Sequence, residues 1–187
     1  MKAFSTKKAF AKIKALSGIK ALSTLRALKL LFTSLLLLTI NGCATAPSQV
    51  EYLTYVKTGD SVPVSRFVDT QGNTLDLSES KNNKLLILFA TWCSDSQRTM
   101  KHLAGSDLHL SPNVDIIGIG REESNSALDK FATEYELNFP LVADTDRQIY
   151  AQFANAGIPR LILLDANNKV VKTIIGETEN TITKVVW

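Results

Sequence analysis

Cysteine is almost missing from this chain: its 187 residues hold two, Cys43 and Cys93. So few thiols exclude a disulfide-dense scaffold, and with only His102 and His109 beside them they exclude a Cys/His cluster of zinc spacing. Acids are missing from Met1 to Gly42, a stretch with eight basic residues. Residues 43–187 keep 13 basic against 18 acidic residues, so the body carries −5 although the whole chain carries +3. A nucleic-acid footprint needs clustered cations on a folded surface, and this acidic body offers none. Long apolar runs are missing too. Leu30–Ile40 spans eleven residues, where a membrane-crossing helix takes roughly 20. Gly118-Ile-Gly120 lacks the third glycine and the position of a nucleotide-binding turn. No internal repeat or low-complexity block occurs.

What is present begins with a leader. A cationic stretch, an apolar run of signal-peptide length and the small-residue junction Asn41-Gly42 precede Cys43. The alternatives are an amphipathic or buried helix, or an ordinary secretory signal with a free Cys43. Thr39-Ile40-Asn41-Gly42-Cys43 resembles a bacterial lipobox, although Asn41 is a less usual residue for its slot. That resemblance implies cleavage before Cys43 and acyl chains on it. Ala44 in the next position resembles the outer-membrane-destined type. Several acyl chains on one residue anchor lastingly where one would not. The expected organisation is a signal peptide over 1–42, a lipidated N-terminus and tether over 43–58, and one folded domain over 59–187. With Cys43 lipidated, Cys93 is the sole thiol, and an unpaired thiol in an oxidising compartment is usually functional or intermolecular.

In the body, strand and helix patterns alternate. Arg66–Asp69 and Thr74–Leu77 flank Thr70-Gln-Gly-Asn73, a hairpin with Gly and Asn supplying turn conformations. Lys84–Ala90 is a continuous apolar run, the mark of a strand buried on both faces. A helix is expected over Ser94–Ala104, ending near Gly105, and a second buried strand over Val114–Ile119. Apolar spacing predicts a helix over Ser124–Leu137, with Ser124 or Asn125 as cap. Phe139–Val142 reads as extended and Thr145–Phe153 as helical. Leu161–Leu164 and Lys169–Ile175 read as strands joined by the turn Asp165-Ala-Asn-Asn168, and a last helix is expected from Glu179. Together these argue a three-layer α/β sandwich with a mixed sheet and an N-terminal hairpin.

Three stretches carry a resemblance: Phe89-Ala-Thr-Trp-Cys93, Phe139-Pro-Leu-Val-Ala-Asp144, and Ile158-Pro159 ahead of Leu161-Ile-Leu-Leu-Asp165. Over about residues 60–187 the chain resembles the thioredoxin fold, and more closely the membrane-anchored TlpA-type reductases within the redoxin group. The resemblance implies that Cys93 is the reactive thiol and that Pro159 follows a cis peptide bond beside it. It also implies that the Ile158 backbone can pair with a bound peptide. Trp92, if not a core aromatic, would shield the site. A Cys at a strand end and helix start faces unpaired backbone N–H groups and the positive end of the helix dipole, which favours thiolate.

The departures matter as much. Ser96 stands where the family places its resolving Cys. Its hydroxyl can donate to a thiolate but cannot attack a mixed disulfide. Thr99, Met100 and Lys101 replace the usual acid and Pro of the helix, and Ile87 replaces a buried carboxylate. Asp95 is a candidate proton-transfer substitute or a solvated first-turn acid. Arg160 is a candidate for stabilising the thiolate or an exposed strand-edge cation. His102 lies nine positions past Cys93, about 13 Å along a helix and out of reach; His109 reads as a loop residue. Leu86 and Ala90 occupy the slots where a peroxiredoxin-type site wants Pro and Thr or Ser.

The leading expectation is a lipid-anchored, single-thiol exchange protein of the bacterial envelope, at the outer membrane and facing the periplasm. It would use no metal or cofactor. Its partners would be protein or low-molecular-weight thiols and disulfides, with an external thiol reductant. The second is a redox-inactive thioredoxin scaffold that holds peptides in the groove at Trp92 and Ile158-Pro159. A Ser96 introduced to trap substrates is a third reading, and a non-standard peroxidase a fourth.

Overall fold

The computed structural model describes residues 51–187; the leader, Cys43 and residues 44–50 lie outside the described residues. Its centre is β3 (Asn83–Phe89). Every residue from Leu85 to Ala90 is fully buried, because side chains alternate between two covered faces. Leu86, Leu88 and Ala90 meet Val56, Phe67, Tyr150 and Phe153 on one side. Leu85, Ile87 and Phe89 meet Met100, Leu103, Leu128 and Phe131 on the other. Each such buried Leu or Ile contributes about 2 kcal/mol of apolar burial, which makes β3 the strand around which the domain assembles.

The main sheet has the order β5-β4-β3-β6-β7. Strands β4 (Val114–Arg121) and β5 (Leu141–Asp144) run parallel to β3, whereas β6 (Arg160–Leu164) runs antiparallel to β3 and β7 (Val170–Ile175) antiparallel to β6. The expected mixed sheet is therefore present. Helices α1 (Ser94–Ala104) and α2 (Asn125–Glu134) cover one face. The other carries the short helix α3 (Tyr150–Phe153) and the hairpin of β1 (Arg66–Val68) and β2 (Thr74–Asp76), a separate two-stranded sheet. Ser124 caps α2 by accepting from Ala127 N at 3.2 Å. Gly120 lets α2 approach β4: a Cβ there would stand 2.5 Å from Leu128 Cδ2.

Three expectations are corrected. The helix read over Thr145–Phe153 is a single turn, Tyr150–Phe153. Arg147 has φ +63°, a left-handed conformation that no α-helix continues through. The Asp144 carboxylate then accepts from Ile149 N and Tyr150 N, fixing the start of the turn. The helix expected from Glu179 is only a 3-10 turn over Ile182–Lys184, after which Trp187 Nε1 donates to Leu164 O at 2.8 Å. In the first hairpin, Gly72 alone takes positive φ (+86°). Asn73 instead donates its N–H and Nδ2 to Asp69, which also accepts from Gln71 N.

The chain ahead of β1, read in part as tether, packs onto the domain. Thr54 and Ala154 form an antiparallel bridge, and Tyr55 N donates to Phe153 O. Asn155 clamps the same stretch, accepting from Leu53 N and donating to Glu51 O. Val56 is buried in the core.

Candidate active site

At the carboxyl end of β3 the chain turns through Ala90-Thr91-Trp92 and enters α1 at Cys93, its N-cap residue. Cys93 O accepts the helical bond from Gln97 N at 2.9 Å, so the backbone caps α1 while the side chain makes no cap bond. The thiol, half-buried and free, donates to Ile158 O at 3.6 Å. The Ile158–Pro159 peptide is cis, as the resemblance implied. Ile158 O faces the Cys93 thiol, and no described hydrogen bond uses Ile158 N. Behind Pro159, Gly176 leaves room for its ring: a Cβ at Gly176 would lie 2.5 Å from Pro159 Cγ.

The remaining sequence candidates separate into those near the thiol and those engaged elsewhere. Trp92 is 63% exposed, which sets aside the core-aromatic alternative. Ser96 is fully buried, and its Oγ accepts from Ala90 N at 3.3 Å. That bond holds the end of β3 to the first turn of α1, and Cys93 Sγ is not its partner. Asp95 is paired with Arg98, one turn along a half-buried flank of α1. Arg160 is 1% exposed, not a strand-edge surface cation. Its guanidinium donates to Ala156 O, Leu53 O and Thr54 Oγ1, tying the 51–55 segment to the loop before Pro159. None of the described bonds joins it to Cys93.

Two residues that sequence reasoning passed over stand close by. Glu123, 6% exposed, accepts through Oε1 from Thr91 N at 2.7 Å and Thr91 Oγ1 at 2.6 Å. It thereby fixes the residue two before the thiol. Arg121, at the end of β4, lies over the Trp92 ring at 5.6 Å and over the Tyr150 ring at 5.2 Å. Tyr150 OH in turn donates to Gly157 O at 2.7 Å, next to Ile158. The available signal was positional: both follow the apolar run of β4, at the carboxyl edge of a strand paired in parallel with β3, where open α/β sheets place their ligands. Among the described residues no group of His, Cys, Asp and Glu is arranged to hold a metal ion.

The Redoxin family model matches residues 57–186. The chain belongs to the Redoxin family. Its curated relatives include the thiol-disulfide oxidoreductase ResA of Bacillus subtilis, 32% identical over 123 residues, 65% of this chain and 69% of that protein. ResA of Geobacillus thermodenitrificans is 28% identical over 144 residues, 76% of this chain and 83% of that one. Among solved structures, a Bacteroides thetaiotaomicron protein described as a candidate protein disulfide isomerase superposes with TM-score 0.63 at 27% identity, covering 72% of this chain and 87% of its own. The thioredoxin domain of a Bacteroides vulgatus thiol-disulfide oxidoreductase gives 0.56 at 21% identity, with 71% and 99% covered, and supports the fold. This redoxin thus has the thioredoxin-like α/β sandwich and is homologous to the ResA and TlpA type of thiol-disulfide oxidoreductase.

Proposed function

We propose that this redoxin performs thiol-disulfide exchange through Cys93 alone, with the second thiol supplied from outside the chain. The observation that carries the proposal is the placement of the Cys93 thiol: half-buried at the start of α1, facing Ile158 O, beside a largely exposed Trp92. In the first step the Cys93 thiolate attacks one sulfur of a substrate disulfide. The S–S bond breaks, a mixed disulfide with Cys93 forms, and the other sulfur leaves as a thiolate that takes up a proton. In the second step an external thiolate attacks the mixed disulfide, carries off the substrate sulfur as a new disulfide and returns Cys93 reduced. Ser96, buried and holding Ala90 N, does not enter either step. Its substitution for a resolving Cys slows release rather than attack. The names of the relatives support thiol-disulfide chemistry as the class.

The leader and the Cys43 junction place the protein, in our reading, at the bacterial envelope, cleaved after residue 42 and held by acyl chains on Cys43. The working domain takes in residues 51–187, because Val56 is buried in its core and Thr54 bonds Arg160, and residues 43–50 are the connection to the membrane. Full chain purified in detergent and incubated at neutral pH with glutathione disulfide or a peptide disulfide is expected to gain one mixed-disulfide adduct. Peptide mapping should place that adduct on Cys93, and Cys93→Ala should abolish it. An unmodified Cys93 after prolonged incubation would favour the second reading, a peptide-holding scaffold, for which the buried Ser96 at the resolving position is the supporting observation.

A further inference from the structure

We infer that Arg121 forms a carboxylate-binding subsite beside Cys93, so that this redoxin prefers disulfides carrying a carboxylate close to the reacting sulfur. The inference rests on the exchange reading above and gives it a substrate class. Three features of Arg121 carry it. First, its guanidinium lies over two rings: the exposed Trp92, next in the chain to Cys93, and the buried Tyr150, hydrogen-bonded to Gly157. Second, its donors are largely uncommitted. Glu122 Oε2 comes within 3.1 Å of Nε, but without hydrogen-bond alignment, so Nε is buried and lacks an acceptor. No described hydrogen bond uses its Nη atoms. A guanidinium offers five donors in a planar fork that suits a carboxylate.

Third, the competing charges nearby are accounted for. Glu122, half-exposed, pairs with Arg121 only along the Nε edge at 3.1 Å, which leaves the Nη edge for a ligand. Glu123 is turned to Thr91. Arg147, also over the Tyr150 ring at 5.1 Å, donates to Asn155 O. Arg121 is therefore the cation left to receive an anion at the Trp92 side of the groove. A planar ring 63% exposed beside it gives the remainder of such a ligand an apolar surface to lie on.

The test is a charge series on the full chain. Rate constants for adduct formation on Cys93 are measured with glutathione disulfide, which bears carboxylates, and with cystamine, which bears amines. A pair of peptide disulfides flanked by Glu or by Lys separates a small acidic thiol from a protein as the source of the carboxylate. The anionic member of each pair is expected to react about tenfold faster, and the preference should weaken with added salt. Arg121→Gln is expected to erase the preference, and Arg121→Lys to retain part of it. A preference confined to one pair supports the subsite and names its source. Equal rates within both pairs, or an Arg121→Gln ratio equal to that of the parent, overturn it.

A second readout keeps the subsite separable from the exchange chemistry. S-methylglutathione has carboxylates and cannot exchange. Titrating it is expected to shift the Trp92 indole N–H resonance in the parent and not in Arg121→Gln. If Cys93 forms no adduct with any disulfide while this shift occurs, the exchange reading fails and the subsite stands. If adducts form at equal rates and the resonance does not move, only the subsite fails; if no adduct forms and the resonance does not move, both fail.

Discussion

Glu123 directs one carboxylate oxygen at two donors of the same residue, the N–H and the hydroxyl of Thr91. Truncating it to Ala leaves a part-buried N–H and hydroxyl without their acceptor, a loss of about 1 kcal/mol or more. Glu123→Ala is therefore expected to lower the unfolding free energy by that amount, read as a lower denaturant midpoint at unchanged m, and to slow adduct formation on Cys93. Glu123→Gln keeps a carbonyl acceptor and should lose less of both. Equal stability of the Ala variant and its parent would show that Thr91 finds other partners at no cost. Cys93, Trp92 and the Ile158-Pro159 step were readable in the sequence because each sits in a local pattern: a strand end, a helix start, a proline before a strand. Glu123 and the role of Arg160 were not. Both side chains act across the chain, 32 positions from Thr91 for Glu123 and 106 positions from Thr54 for Arg160, and no local spacing encodes such contacts.

Among the elements, the β1–β2 hairpin has its own titrating device. Burial pushes the Asp69 carboxyl up, but bonds from the Asn73 side chain and from the backbone N–H groups of Asn73, Gln71 and Gly72 outweigh it and hold it below the ordinary range. Its folded value thus lies under the unfolded one of about 3.9. The stability it contributes is fully present above the unfolded value and is lost as pH falls through the folded one. Asp76 is held low in the same direction, by Ser78 first and then Arg66, so the comparison must isolate Asp69. Below about pH 4 the parent is expected to lose stability more steeply than Asp69→Asn. Parallel acid profiles of the two, followed by denaturant titration, would refute that role. The strands and α1 were predicted within a residue or two because β3, β4 and β6 are apolar on both faces. The helix expected over Thr145–Phe153 was overread because nothing in its composition announces the left-handed Arg147 or the Asp144 carboxylate that begins the turn at Tyr150.

At the scale of the whole molecule, the 51–55 segment closes over the loop that carries the candidate active site. Arg160 is buried and draws two of its partners from that segment, Leu53 O and Thr54 Oγ1, while Asn155 holds Glu51 and Leu53. Removing residues through Tyr55 would leave a buried guanidinium short of acceptors, at a cost on the order of 2 kcal/mol or more. The shortened chain is expected to unfold at lower denaturant and to exchange the amides of 153–158 faster, while those of β3 stay protected. Uniform protection across both regions would refute the clamp. A domain boundary at residue 59 read from composition missed this, because small polar residues ahead of a fold look alike whether they are free or clamped.

The same clamp makes the groove answerable to tension. Traction on the chain ahead of Glu51 would pass first through the Asn155 bonds and the Thr54–Ala154 bridge, then through Arg160 to the backbone opposite Cys93. Pulling at the amino end therefore loads the loop before Pro159 ahead of the central strand.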